Sequence, residues 1–126
     1  MKLGAGILVL LLVIFTFAYY TYNQTLNLAG ELQALLKDWA TMVEKERWKE
    51  AGEQAGVIEK KWEVTSNWWL PLMDHNEIEL VEQAIARSAE LVGIRSREMA
   101  LVEIRMAQRL TQYIVESERP ALKNIF

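Results

Sequence analysis

The sequence predicts an all-α protein, in which an N-terminal transmembrane helix is followed by an antiparallel helical bundle of about four helices, or two helical hairpins. Three observations carry this expectation. Residues 3–22, LGAGILVLLLVIFTFAYYTY, hold no charged side chain. Behind them apolar residues recur in steps of three and four, the period of one helix face. No stretch alternates as a strand does, and no Asn-Gly or Asp-Gly pair is present to turn a β-hairpin. A length of 126 residues suits one folded unit beside the span. About a hundred residues can bury a core without disulfides or a metal.

The first element is the span. Twenty helical residues rise roughly 30 Å, the thickness of a bilayer hydrocarbon core. Tyr19, Tyr20 and Tyr22 gather at its far end, where amphipathic rings favour the headgroup region. Lys2 and the free amino group lie at the near end, and no Lys or Arg occurs between Asn23 and Leu36. The positive-inside rule then places the N-terminus in the cytoplasm. The expected division is a membrane anchor over 1–22 and an extracytoplasmic helical domain over 23–126, in a plasma-membrane protein. A cleaved signal peptide ending near Thr16-Phe17-Ala18 is the competing reading. The two-residue basic start and the long apolar run favour an uncleaved anchor. With no ionisable residue inside it, the span is read as a plain tether.

The remaining elements follow from periodicity. Leu28, Leu32, Leu35, Leu36, Trp39, Met42 and Val43 mark one face of a helix from Thr25 to Val43. No proline separates it from the span, so the two can be continuous. Lys45-Glu46-Arg47 has no apolar member and is read as a turn. Trp48, Ala51, Ala55, Ile58, Trp62, Thr65 and Trp69 keep heptad spacing, the seam of packed helices. Gly52 and Gly56 lie beside that seam, where small residues would let a neighbouring helix come close. Pro71 breaks this helix. Asp74 caps the next one, and Glu77 three residues on completes a capping box. The third helix runs on Ile78, Val81, Ile85, Ala89 and Val92, with Gly93 suited to a left-handed C-terminal cap. Ser96 is placed to cap a fourth. Its apolar face is read as Met99, Val102, Met106, Leu110 and Tyr113, widened by Leu101, Ile104 and Ile114. Pro120 is expected to end it.

Charge and composition exclude several function classes. The formal charge is −3, and without Lys2 the remainder is one unit more negative. A mildly acidic domain without a basic block has no general attraction for nucleic acid. Cysteine is absent, which removes disulfides, thiolate nucleophiles and cysteine metal sites. No Gly-rich phosphate loop and no spaced Ser, His and Asp suggest an enzyme, and no cofactor is implied.

In the anchor, the first turn, the junction around Pro71 and the chain end the residues resemble a known family. Arg47-Trp48-Lys49-Glu50-Ala51, Lys60-Lys61-Trp62-Glu63, Trp68-Trp69, Leu72 through Glu79 and the closing Leu122 through Phe126 resemble domain-of-unknown-function family 4363. The most specific positions are Trp62, Trp69, Asp74, His75, Glu77, Ile78, Asn124, Ile125 and Phe126. The family comprises short single-span proteins of spore-forming Gram-positive bacteria. The resemblance therefore implies a bacterial plasma-membrane protein and a multispan membrane neighbour as partner. It brings no activity, cofactor or catalytic residue.

Three features are candidate sites, each with a structural reading beside it. His75, the single histidine, stands with Asp74, Glu77 and Glu79 and suggests a metal or small-ligand sensor. Zinc wants three or four protein ligands, mostly His or Cys, so a turn-fixing role for His75 is favoured. Trp39, Trp48 and Trp62 fall on seams and are read as core. Trp68 and Trp69 point about 100° apart on a helix, so one can face solvent beside Pro71 as an anchor for a partner, or both can tuck under the turn. Asn124-Ile125-Phe126 either packs on its own domain or is captured by a groove on another protein. The functional expectation is a binding or structural accessory to another membrane or envelope protein, anchored in the lipid bilayer through residues 3–22. The alternative is a sensor centred on Asp74, His75 and Glu77.

Overall fold

A computed structural model describes residues 1–125, with side chains through Ser117. Four helices account for nearly all of it: α1 (Lys2–Glu44), α2 (Trp48–Trp69), α3 (His75–Gly93) and α4 (Arg97–Ile125). No strand occurs among the described residues. Each helix packs on two others in a closed circuit, α1 on α2, α2 on α3, α3 on α4 and α4 on α1.

The apolar opening and the first amphipathic face form one continuous 43-residue helix, α1. No glycine pair or proline interrupts it at Asn23-Gln24-Thr25, so the backbone bonding carries through. Its two halves differ sharply in surroundings. The side chains of residues 1–20 are all exposed, whereas Thr25, Leu28, Ala29, Leu32, Leu36, Trp39 and Val43 are buried.

α1 and α2 are tied at successive levels. The Trp39 indole donates to the Ala51 carbonyl (2.9 Å), the Gln54 amide donates to the Leu35 carbonyl (3.1 Å), and Lys61 pairs with Glu31. As numbering falls along α1 it rises along α2, so α2 returns toward the N-terminal half of α1. The Gln33 amide reaches the Gln108 carbonyl on α4 (2.8 Å), and Arg105 pairs with Glu44 (3.2 Å). The heptad seam of α2 is buried at Ala51, Ile58, Trp62, Thr65 and Trp69, with Trp48 and Ala55 packed at its margin. The small polar residues of the core are satisfied within their own helices. The hydroxyls of Thr65, Ser88 and Thr111 each donate to the carbonyl four residues back.

The two distal turns share one geometry. At the end of α1, Glu46 takes φ 56°, the Glu46 N–H donates to the Val43 carbonyl and the Arg47 N–H to the Met42 carbonyl. At the end of α3, Arg95 takes φ 57°, and the Arg95 and Ser96 N–H groups donate to Val92 and Leu91. Both are Schellman motifs. The left-handed position is therefore Arg95, not Gly93, which ends α3 in a right-handed conformation. The two core patterns also correspond: Leu32, Leu36 and Val43 before the first turn match Val81, Ile85 and Val92 before the second.

Three further expectations are corrected. Gly52 and Gly56 are exposed, and a Cβ on either would meet nothing within 4 Å. No helix approaches them, so they weaken α2 without a packing return. On α4 the core face is Ala100, Leu101, Ile104, Ala107, Thr111 and Ile114, whereas Met99, Val102, Met106 and Tyr113 face outward. Both stripes have helical period. α1 and α3 both close on α4, and the face with small side chains is the one they cover. Finally, α4 runs through Pro120 to Ile125. A proline removes one intrahelical hydrogen bond, a cost a helix can carry without terminating.

Candidate functional site

The junction between α2 and α3 collects most of the residues singled out from the sequence. α2 closes on Trp68-Trp69. The Leu72 and Met73 N–H groups both donate to the Trp69 carbonyl (2.9 and 3.0 Å), which folds Leu70-Pro71-Leu72-Met73 into a tight turn. Pro71 has no N–H to donate, so it cannot continue the α2 ladder and suits the place where the chain leaves it. Asp74 then caps α3, its carboxylate accepting from the Asn76 N–H (2.9 Å). Only this half of the expected capping box forms. Glu77 makes no reciprocal bond to the Asp74 N–H, and the acidic first turn still favours the helix N-terminus.

His75 is exposed, and its Nε2 lies 3.2 Å from the Leu70 carbonyl. It thus spans the turn from the first residue of α3 to the residue that follows α2. Among the described residues no three His, Cys, Asp or Glu side chains gather closely enough to hold a metal ion. The structure does not bring Asp74, His75, Glu77 and Glu79 into one ligand set.

The tryptophans divide by surroundings. Trp69 is fully buried, and its ring meets Trp62 edge to face at 6.0 Å. Trp68 is partly buried and meets Tyr20 of α1 edge to face at 6.2 Å. Such pairs add roughly 0.5–1.5 kcal/mol beyond area burial. The indole N–H groups of Trp62, Trp68 and Trp69 have no acceptor, in contrast to Trp39. Of the neighbouring pair, then, Trp69 belongs to the core and Trp68 forms part of the surface. Around the turn Leu70 is 39% exposed and Leu72 44% exposed.

Two other places on the surface are lined by apolar residues. A groove of about 480 Å³ lies between α2 and α3, with Trp62, Leu70 and Ile85 along it and Glu59, Glu63 and Glu82 at its edges. The outward stripe of α4, Met99, Val102, Met106 and Tyr113, is longer, with Leu110 half-buried between its members. The periodicity of α4 made this stripe visible, but its assignment to the core hid its exposure. The part played by Tyr20 had no local signal, since it depends on the return of α2. The proposed contacts of Asn124-Ile125-Phe126 lie outside the residues whose side chains are described.

Residues 19–125 match the family described as Domain of unknown function (DUF4363). The chain belongs to that family. The DUF4363 match takes in the α2–α3 junction, both distal turns and the outward stripe of α4, and begins at the tyrosines that close the apolar stretch. No curated protein matches the chain. No solved structure matches it either. The family relationship supplies no activity, so what this DUF4363 protein does has to be argued from its own residues.

Proposed function

We propose that this is a single-pass protein of the plasma membrane, whose helical domain stands outside the cell and serves as a binding or structural accessory to another membrane or envelope protein. The division within α1 carries the reading. This helix contains the apolar window long enough to cross a bilayer, and that window is 0% buried. A core helix of a water-soluble protein hides such a surface, because exposing it to water costs about 25 cal/mol per Å². The second half of the same helix is built into the core, so anchor and domain turn as one body. The short basic start and the twenty-residue apolar run favour a retained anchor over a cleaved signal sequence.

The four helices are read as an antiparallel bundle of two hairpins, from the opposed numbering of the ties between α1 and α2. The N-terminus is assigned to the cytoplasm on Lys2 and on the lack of Lys or Arg from Asn23 to Leu36. The partner surface is assigned to α4. Met99, Val102, Met106 and Tyr113 form an exposed apolar stripe about four turns long, at 3.6 residues per turn, and methionine and tyrosine are enriched in such contacts. A tether confines the search for a partner to the membrane plane and raises the effective concentration. No catalytic role is assigned.

Photocrosslinking tests the reading. A crosslinker at Val102 or Met106 in native membranes is expected to trap one protein species. A crosslinker at Lys49, on the distal end, is expected not to. Protease added to intact cells is expected to digest the helical domain. Digestion only after the bilayer is opened would overturn the orientation. Equal trapping from all three positions would overturn the assignment of α4.

A further inference from the structure

The antiparallel return of α2 has a consequence for the turn that follows it. Trp68 meets the ring of Tyr20. Two residues further along α2 the chain has risen by about 3 Å, at 1.5 Å per residue. Leu70 therefore stands level with Ala18 and Tyr19 of α1, and Pro71 and Leu72 follow at that end. These α1 positions belong to the apolar stretch and its tyrosine cluster, the part of the helix assigned above to the bilayer and its boundary. The tip of the turn is apolar and open: Leu70 and Leu72 are 39% and 44% exposed, and Pro71 is exposed between them.

We propose that Leu70-Pro71-Leu72 inserts into the interfacial layer of the bilayer that α1 spans, with the Tyr20–Trp68 pair at headgroup depth. This rests on the membrane reading of α1 given above and adds a second point of contact with the same bilayer. One helix alone leaves the domain free to swing about its axis. A second contact beside it holds the domain in a fixed rotation, with the α4 stripe presented in a constant direction.

The charges around the turn specify the kind of lipid surface. No Lys or Arg occurs between Lys61 and Arg87, and Asp74, Glu77 and Glu79 follow the tip at the cap and first turns of α3. Carboxylates at the headgroup level disfavour anionic lipid. The contact is therefore apolar, suited to a zwitterionic surface and insensitive to salt, unlike a basic lipid-binding patch. A proline at the tip supports insertion in a second way. It has no N–H to leave unsatisfied where water is scarce.

The chain lacks cysteine, so single labels can be placed at will. Full-length Leu72→Cys, Tyr19→Cys and Lys49→Cys proteins are labelled with an environment-sensitive fluorophore. They are then reconstituted into phosphatidylcholine vesicles containing brominated lipid. The expected result is blue-shifted emission and lipid quenching at positions 19 and 72, with iodide quenching from water at position 49. Raising the salt to 1 M should leave position 72 unchanged. Adding Leu70→Ser to the Leu72→Cys protein should at least halve its lipid quenching and leave position 19 as it was. If position 72 is quenched by iodide like position 49 while position 19 remains in lipid, insertion is overturned and the anchor stands. If position 19 is also open to iodide, the anchor reading itself fails. Shielding of position 72 in native membranes but not in vesicles would mean that a protein covers the turn, and would overturn the proposal.

Discussion

Replacing Glu46 or Arg95 with glycine should stabilise the protein, although each change deletes a whole side chain. Both residues sit at φ near +57°, at the left-handed position of a Schellman turn. An L-residue pays roughly 1–2 kcal/mol there, because Cβ crowds the following carbonyl. Glycine avoids this crowding but costs about 0.4–1 kcal/mol through the freedom it gives the unfolded chain. Neither Glu46 nor Arg95 offsets its strain with a side-chain bond, since both are exposed and the ion pair beside the first turn joins Arg47 to Glu50. The net gain is about 0.5–1 kcal/mol per site. The turns have separate backbones, so the gains should add to within about 0.5 kcal/mol. For a unit of about a hundred residues, each gain raises Tm by roughly 2–8 °C. Thermal melts of the full chain in detergent, followed by tryptophan fluorescence, would measure this. The apolar half of α1 carries no tryptophan and so does not blur the signal. Glu46→Ala and Arg95→Ala are the controls. They keep Cβ and should leave Tm nearly unchanged. Glycine variants no more stable than the alanine variants would refute the reasoning.

Other expectations follow from the same geometry. Gly52→Ala and Gly56→Ala should each stabilise α2 by up to about 1 kcal/mol, because the new methyl meets open space; a lowered Tm would restore the close-packing reading. Trp39→Phe should cost about 1 kcal/mol more than Trp69→Phe in denaturant unfolding. Both rings are fully buried, but only the Trp39 indole donates a hydrogen bond. Asp74→Ala should cost about 1 kcal/mol by removing the cap of α3, whereas Glu77→Ala should cost under about 0.5 kcal/mol. Equal losses from the two would show that the capping box closes in solution.

The residues fixed one level of description and left another open. Helical class, the turn at Lys45-Glu46-Arg47, the break at Pro71, the Asp74 cap and the seam from Trp48 to Trp69 were all legible. Each depends on neighbours within one or two turns of the same chain segment, where backbone geometry leaves few choices. The faces of α1, α2 and α3 were legible for the same reason, since each has a single apolar stripe. α4 has two, and the sequence favours the bulkier one. The tertiary structure buries the flank of that stripe, the expected Leu101, Ile104 and Ile114, together with Ala100 and Ala107, because α1 and α3 close around the face that carries the smaller side chains. Distance along the chain hid the rest. Trp39 bonds to Ala51, Gln33 to Gln108, and Tyr20 meets Trp68 only after α2 has run back beside α1. The pattern of a helix says which way each side chain points on that helix. What stands opposite is decided only when all four helices pack together.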